Sequence, residues 1–313
     1  TTAMPPLPTL LLTLLWTSLA RATVAPLHPR AYKPLPLSTV APQGWLLDQL
    51  VLQANALSGV MATSTFPGAD TVNQSLWIGG DGKPKVGAGV TQWLPYWTNG
   101  QVPLIELLAT ANATHRLDPT FDLVVVCDHI IQYVLSHTNH SNGWIGPYIN
   151  EPGDKNGHGL WDPLNMLRTL LNYAQAHPAQ ERTIATAVTA HLSHVAELLA
   201  SGEPIIDWAS TRWPTYVEIA QYVLDEFVGT YGNDPEVMPL GPKGTTEMLL
   251  RSSQVFQTKG MDWLTYYYQN GTVKFPQTSV NDWNQNDHGV NNAEGAMRWP
   301  GVSYRMNPTP DVA

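Results

Sequence analysis

The sequence predicts an all-α fold, an (α/α)6 toroid or barrel. Three observations lead there: long amphipathic segments with helix-start signals, no convincing strand before residue 279, and aromatic-polar loops that each run into a helix. Those loops lie at 144–162, 208–214 and 283–292, and helices between them return the chain. A line of such hairpins would be a solenoid, but the units are long and irregular, with no short repeat consensus. Closing them into a ring would gather alternate helix N-termini, with their unpaired N–H groups, around one mouth. About eight helices are legible, fewer than the dozen of six hairpins. The expectation is therefore a barrel cut short before its last helices.

The 313 residues are 43% hydrophobic, enough for a sizeable core, and 13% charged with a net charge of −9. That balance carries no nucleic-acid footprint and disfavours a strongly anionic substrate, so neutral ligands fit better. Twelve Trp and twelve Tyr against five Phe favour aromatics with a polar handle, as sugar clefts use, although core Trp gives the same count.

Residues 1–22 read as a signal peptide: an apolar run over 7–19, too short to span a bilayer, precedes Ala20-Arg21-Ala22. Secretion, with no stable membrane anchor, is the expectation. The sequons at Asn73, Asn112, Asn139 and Asn270 agree with it as glycosylation sites. One cysteine, Cys127, rules out an intrachain disulfide framework.

Residues 23–42 are Pro-rich and read as an extended surface segment, ahead of a partial barrel domain over 43–313. Helix follows over 44–57, with Trp45, Leu46, Gln49, Leu50, Gln53 and Leu57 in helical register. A polar loop over 65–91 leads to an aromatic loop at 93–97 and a helix with Pro103 in its first turn. Asp118 and Pro119 read as the N-cap and first residue of a helix reaching His137, with Cys127 an inert core thiol inside it. Asp162 and Pro163 open a helix over 164–177, another covers 180–201, and Pro214 opens one over 215–231. Residues 244–269 read mainly as helix.

The stretch 279–297, centred on Asp287-His288-Gly289-Val290-Asn291-Asn292, packs an imidazole, amides, carboxylates and an indole into a loop entering a small-residue helix. Amides and carboxylates bind hydroxyls, an indole face covers a sugar ring, and imidazole handles a proton near neutrality. A polar turn with a helix N-cap is the plainer alternative.

Five segments carry a resemblance: Pro34 to Leu50, Pro95-Tyr96-Trp97, Gly143 to Pro147, Trp161 to Tyr173, and His288 to Ala293. They occur in the order of motifs of glycoside hydrolase family 127, and the chain resembles that β-L-arabinofuranosidase-like family over about residues 32–306. The resemblance implies a secreted glycoside hydrolase with an (α/α)6 barrel followed by β-sandwich regions. It implies retaining hydrolysis of terminal L-arabinofuranosides through a zinc-held cysteine nucleophile and a glutamate acid/base. Those motifs normally follow the His288 segment and are not met before Ala313, and Cys127 matches no family ligand, so the catalytic residues stay unassigned. Without them this chain alone is expected to be inactive, with no metal site of its own.

By the same resemblance His288 contacts the sugar, and Asn165 and Trp213 stand near two other family histidine positions. Amide and indole in place of imidazole put the sugar specificity in question, and helix-cap or core roles for Asn165 and Trp213 stay open. Trp161, Asp162, Asp287 and Asn291 complete the candidates. Two other classes compete: a carbohydrate-binding pseudoenzyme, and a polysaccharide lyase using Asn291, His288 and Tyr304. The lyase needs cations, and Arg168, Arg212 and Arg251 form no cluster in sequence.

Overall fold

A computed structural model describes residues 25–61, 72–80, 92–138, 141–147, 160–269 and 288–307. Most of these residues are helical, with no strand among them. The proposed signal peptide, the sequons at Asn139 and Asn270, and Asp287 lie outside them; Asn73 and Asn112 lie within them and are exposed.

The long helices are α1 (Gly44–Asn55), α2 (Trp93–Thr110), α3 (Leu123–Ser136), α4 (Asp162–Ala176), α5 (Pro178–Ala200), α6 (Trp213–Tyr222) and α7 (Gly241–Lys259). A short α8 (Gly289–Asn291) continues through a π-helical turn, Asn292–Ala296, and α9 (Trp299–Met306) follows. Packing orders them into two rows. In one, α2 packs on α4, α4 on α6, and α6 on α9 and the π turn; in the other, α3 meets α5 and α5 meets α7. Hairpin partners α4 and α5, and α6 and α7, join the rows.

Between the rows lies an apolar core that includes Leu108, Ile130, Leu167, Leu170, Val188, Leu192, Val217, Leu249 and Phe256, all sealed from solvent. Each such side chain contributes roughly 1.5–3 kcal/mol by leaving water. The 3.6-residue spacing makes α3 bury one face, with Leu123, Cys127, Ile130, Ile131 and Val134, whereas α4, with Pro163 to Leu167 buried in succession, is enclosed nearly all round.

Several boundaries depart from the sequence reading. The segment 93–97 is no loop: α2 starts at Trp93 and runs through Pro103, which lies inside the helix. A proline there forfeits a helical N–H bond and crowds the preceding turn. Packing of α2 against both α1 and α4 offsets that cost. Asp118 does not cap α3. Its carboxylate accepts from the N–H and hydroxyl of Thr120 in a turn, and Asp122 caps instead, accepting from the N–H of Val125 at 3.1 Å. Residues 244–269 are not one helix, since α7 ends at Lys259 and a separate π turn occupies Thr265–Gln269. Helix α1 buries Val51 and Ala54 and leaves Trp45 and Leu46 exposed.

In the Pro-rich segment most of the described side chains are exposed, and Leu37–Thr39 form a 3-10 turn where an extended run was expected. The His28 N–H donates to the Arg305 carbonyl at 2.7 Å, and Arg30 pairs with Asp225 at 3.0 Å. Asp225 sits in a π turn, Val223–Phe227, that extends α6, and also takes two bonds from Arg305 at 2.9 and 2.7 Å. One carboxylate thus ties the N-terminal segment and α9 to α6.

Candidate functional site

The N-terminal ends of α2, α4, α6 and α9 face one another, and the polar aromatic residues gather there. Arg212, directly before α6 and 3% exposed, is the centre. Its guanidinium lies between two indoles, 4.6 Å from the Trp161 ring centroid and 4.7 Å from that of Trp208. Its Nε donates to Asn291 Oδ1 at 2.6 Å, and its Nη1 donates to the Tyr96 hydroxyl at 2.8 Å. Tyr96 donates in turn to Glu294 Oε1 at 2.8 Å, and Glu294 Oε2 lies 3.6 Å from Arg212 Nε. A buried cation is thus paired and hydrogen-bonded, the condition under which charge is tolerated in a core.

Local sequence explains each placement. Pro214 lies in the first turn of α6, where its missing N–H costs little, so Arg212 sits at the helix entrance. The π turn after α8 brings Asn291 and Glu294 to the same side. Gly295 permits that approach: a Cβ there would fall 2.2 Å from the Thr211 carbonyl oxygen and 2.5 Å from the Trp263 ring. Asn292 steadies the turn, accepting from the Tyr267 hydroxyl and donating to the His288 carbonyl.

Two acceptors are left over. Asn165 is 2% exposed and its Oδ1 has no hydrogen-bond partner; Glu294 Oε2 has no hydrogen bond either. Burial, and next the charge of Glu294, push the Tyr96 hydroxyl well above the ordinary tyrosine range. It stays protonated at neutral pH and serves as a donor. Burial pulls the Arg212 guanidinium down, and Tyr96 and Glu294 oppose the shift. On its other flank Tyr96 lines a cavity of about 410 Å³ with Trp93, Trp97 and Gln101.

Of the residues singled out in the sequence, Trp161 and Asn291 touch Arg212 directly, and Asn165 lies close enough to Tyr96 to act on its hydroxyl. His288 meets the Trp208 ring edge-on at 5.5 Å. Asp162 opens α4 next to Trp161. Trp213 is not brought into the cluster: it is 1% exposed, packs against Gly260, and donates to the Met261 carbonyl at 3.0 Å. Tyr96, Trp208 and Glu294 are the additions, and Arg212, named in the sequence only as a candidate cation for a lyase, becomes the centre. Tyr96 and Glu294 stand inside stretches already marked by their aromatic and amide content; nothing local sets Arg212 apart.

Cys127 is 2% exposed on α3, and burial, reinforced by Asp128, pushes its thiol far up. It is a packed core group rather than a thiolate. Among the described residues no three His, Cys, Asp or Glu side chains gather as metal ligands. The zinc implied by resemblance therefore has no ligand set among them. Compared with models of known protein families, with curated proteins and with solved structures, the chain matches none of them.

Proposed function

We propose that the two helical rows are an arc of an (α/α)6 toroid whose mouth binds carbohydrate, in a secreted glycoside hydrolase of the β-L-arabinofuranosidase-like kind acting on terminal L-arabinofuranosyl or related bonds. The observation that carries this reading is the convergence of Trp161, Trp208, Tyr96, Arg212, Asn291 and Glu294 at one set of helix entrances, with Asn165 Oδ1 and Glu294 Oε2 uncommitted. Sugar hydroxyls supply the donors that these acceptors lack, and the amphipathic rings suit a pyranose or furanose face. His288, at the edge of Trp208, is placed to orient the same ring.

A second reading is recognition without turnover. Incubation with a nitrophenyl β-L-arabinofuranoside and titration with arabino-oligosaccharides separate the two. Release of nitrophenol supports hydrolysis, and a dissociation constant without release supports binding alone. Absence of both in a folded protein defeats the L-arabinofuranosyl reading. Asn165→Ala is expected to weaken binding about tenfold, the equivalent of roughly 1.4 kcal/mol.

A further inference from the structure

Beside the Arg212 cluster two more guanidinium groups converge. Arg168 stands one turn along α4 from Asn165, and Arg298 lies just before α9. Both approach one carboxylate, Glu218 of α6, with Nε to Oε2 distances of 3.5 Å from Arg168 and 3.6 Å from Arg298. That oxygen is buried and has no hydrogen bond. Arg298 donates to the Thr215 hydroxyl at 2.8 Å, whereas Arg168 has a fork of N–H donors and makes no hydrogen bond among the described residues. The two arginine side chains are 26% and 23% exposed, so solvent-borne groups can reach them.

Charge is unbalanced here. The Arg168 and Arg298 guanidiniums repel each other, while Glu294 and Tyr96 act favourably on Arg168, so the two clusters share one electrostatic field. Arg168, Arg212 and Arg298 face Glu218 and Glu294: among the described residues that pair in this cluster, three cations meet two anions. The entrances of α4, α6 and α9 add the positive ends of their helix dipoles. In a chain of net charge −9 this is a local reversal of sign. A purely structural bridge does not account for it, because a bridge built to hold α4, α6 and α9 together would close to hydrogen-bonding distance.

We propose that the glycan recognised at this mouth carries a uronate carboxylate, received by the Arg168 fork with Arg298 beside it. The ligand's anion supplies the missing countercharge, and the planar carboxylate matches the two parallel N–H donors of a guanidinium. Glu218 sets the pair of arginines apart and limits the site to a single added negative charge. The inference rests on the carbohydrate reading and narrows it to an acidic glycan.

The test is calorimetric titration of the whole chain at low salt with trigalacturonate, with its methyl ester, and with a neutral arabino-oligosaccharide. The acid is expected to bind at least tenfold more tightly than its ester, with the preference shrinking as salt is raised. Arg168→Gln should collapse the ratio between acid and ester, and Arg168→Lys, which keeps the charge but loses the fork, should retain part of it. Unfolding midpoints measured alongside show whether each variant is folded, and the ratio from either folded variant suffices. Equal affinity for acid and ester, or a ratio unmoved by Arg168→Gln, overturns the proposal. If the arabino-oligosaccharide binds and the acid binds no better, the acidic inference falls while the carbohydrate reading stands. If none of the three binds, both fall. Should the acid be consumed with growth of a conjugated-uronate absorbance, acidic recognition is supported and elimination replaces hydrolysis.

Discussion

Two buried clusters in this protein use similar residues and end in opposite states. Around Trp144, the His191 ring lies 4.7 Å and the His194 ring 5.8 Å away, all three nearly sealed. The Ile145 N–H donates to His191 Nδ1 at 3.0 Å, which requires that nitrogen to be unprotonated. Burial, and then His194, push His191 down to about 3, so the His191 ring is neutral at physiological pH. Around Arg212 the indoles of Trp161 and Trp208 hold a full charge, and acceptors on Asn165 and Glu294 stay unused. Aromatic and nitrogen-rich content alone does not separate a structural knot from a binding site. What separates them is whether a full charge is retained, since an unpartnered polar atom occurs in both: Trp144 Nε1 in one, Asn165 Oδ1 and Glu294 Oε2 in the other.

The largest test of that contrast is Arg212→Met. Removing the cation leaves Glu294 buried with a weaker set of partners, and urea unfolding is expected to show a loss of about 3–5 kcal/mol. A change below about 1 kcal/mol would mean that the pair is solvated and that the two clusters differ less than their geometry indicates.

The Trp144 cluster is broken by pH. His191 titrates near 6.5 when unfolded and near 3 when folded. Its contribution is therefore fully present above pH 6.5 and is lost as the pH falls toward 3, with a slope of roughly 1.4 kcal/mol per pH unit. His191→Asn retains an acceptor for Ile145 and cannot titrate. Its stability profile between pH 6.5 and 4 is expected to be flatter than that of the parent, and parallel profiles would defeat the assignment.

Tyr96→Phe gives the smallest effect. The hydroxyl both donates to Glu294 and accepts from Arg212, so its removal is expected to cost about 1–2 kcal/mol in stability. The same variant should weaken oligosaccharide binding, because Glu294 then loses its orientation. Trp144→Phe, in the His191 cluster, should leave that binding unchanged.

Much of the helical framework is legible in the sequence. The apolar face of α3, with Leu123, Ile130 and Val134, follows from its spacing, and Pro163 and Pro214 mark the starts of α4 and α6 within about two residues. Failures occur where a residue has two suitable uses. Asp118 is a good cap by type, but Thr120 takes its carboxylate and Asp122 caps α3. Pro103 reads as a helix start, and packing on both flanks carries α2 through it. The site was legible only in parts, through Trp161, Asn165, His288 and Asn291, because each lies in a segment with its own polar or aromatic signature. Arg212 was named only as one of three candidate cations and not as the centre, since its partners Asn291 and Tyr96 stand 79 and 116 residues away.

By itself the sequence determined that these segments are helices and which faces are apolar, because periodicity and capping act over a few residues. Tertiary structure alone decided that Trp208 covers Arg212 while Trp213 turns into the core, and that Arg168 and Arg298 share Glu218. Those outcomes depend on how helix entrances converge in space. Charge pairing and leftover hydrogen-bonding capacity exist only once distant segments have been brought within a few ångströms of each other.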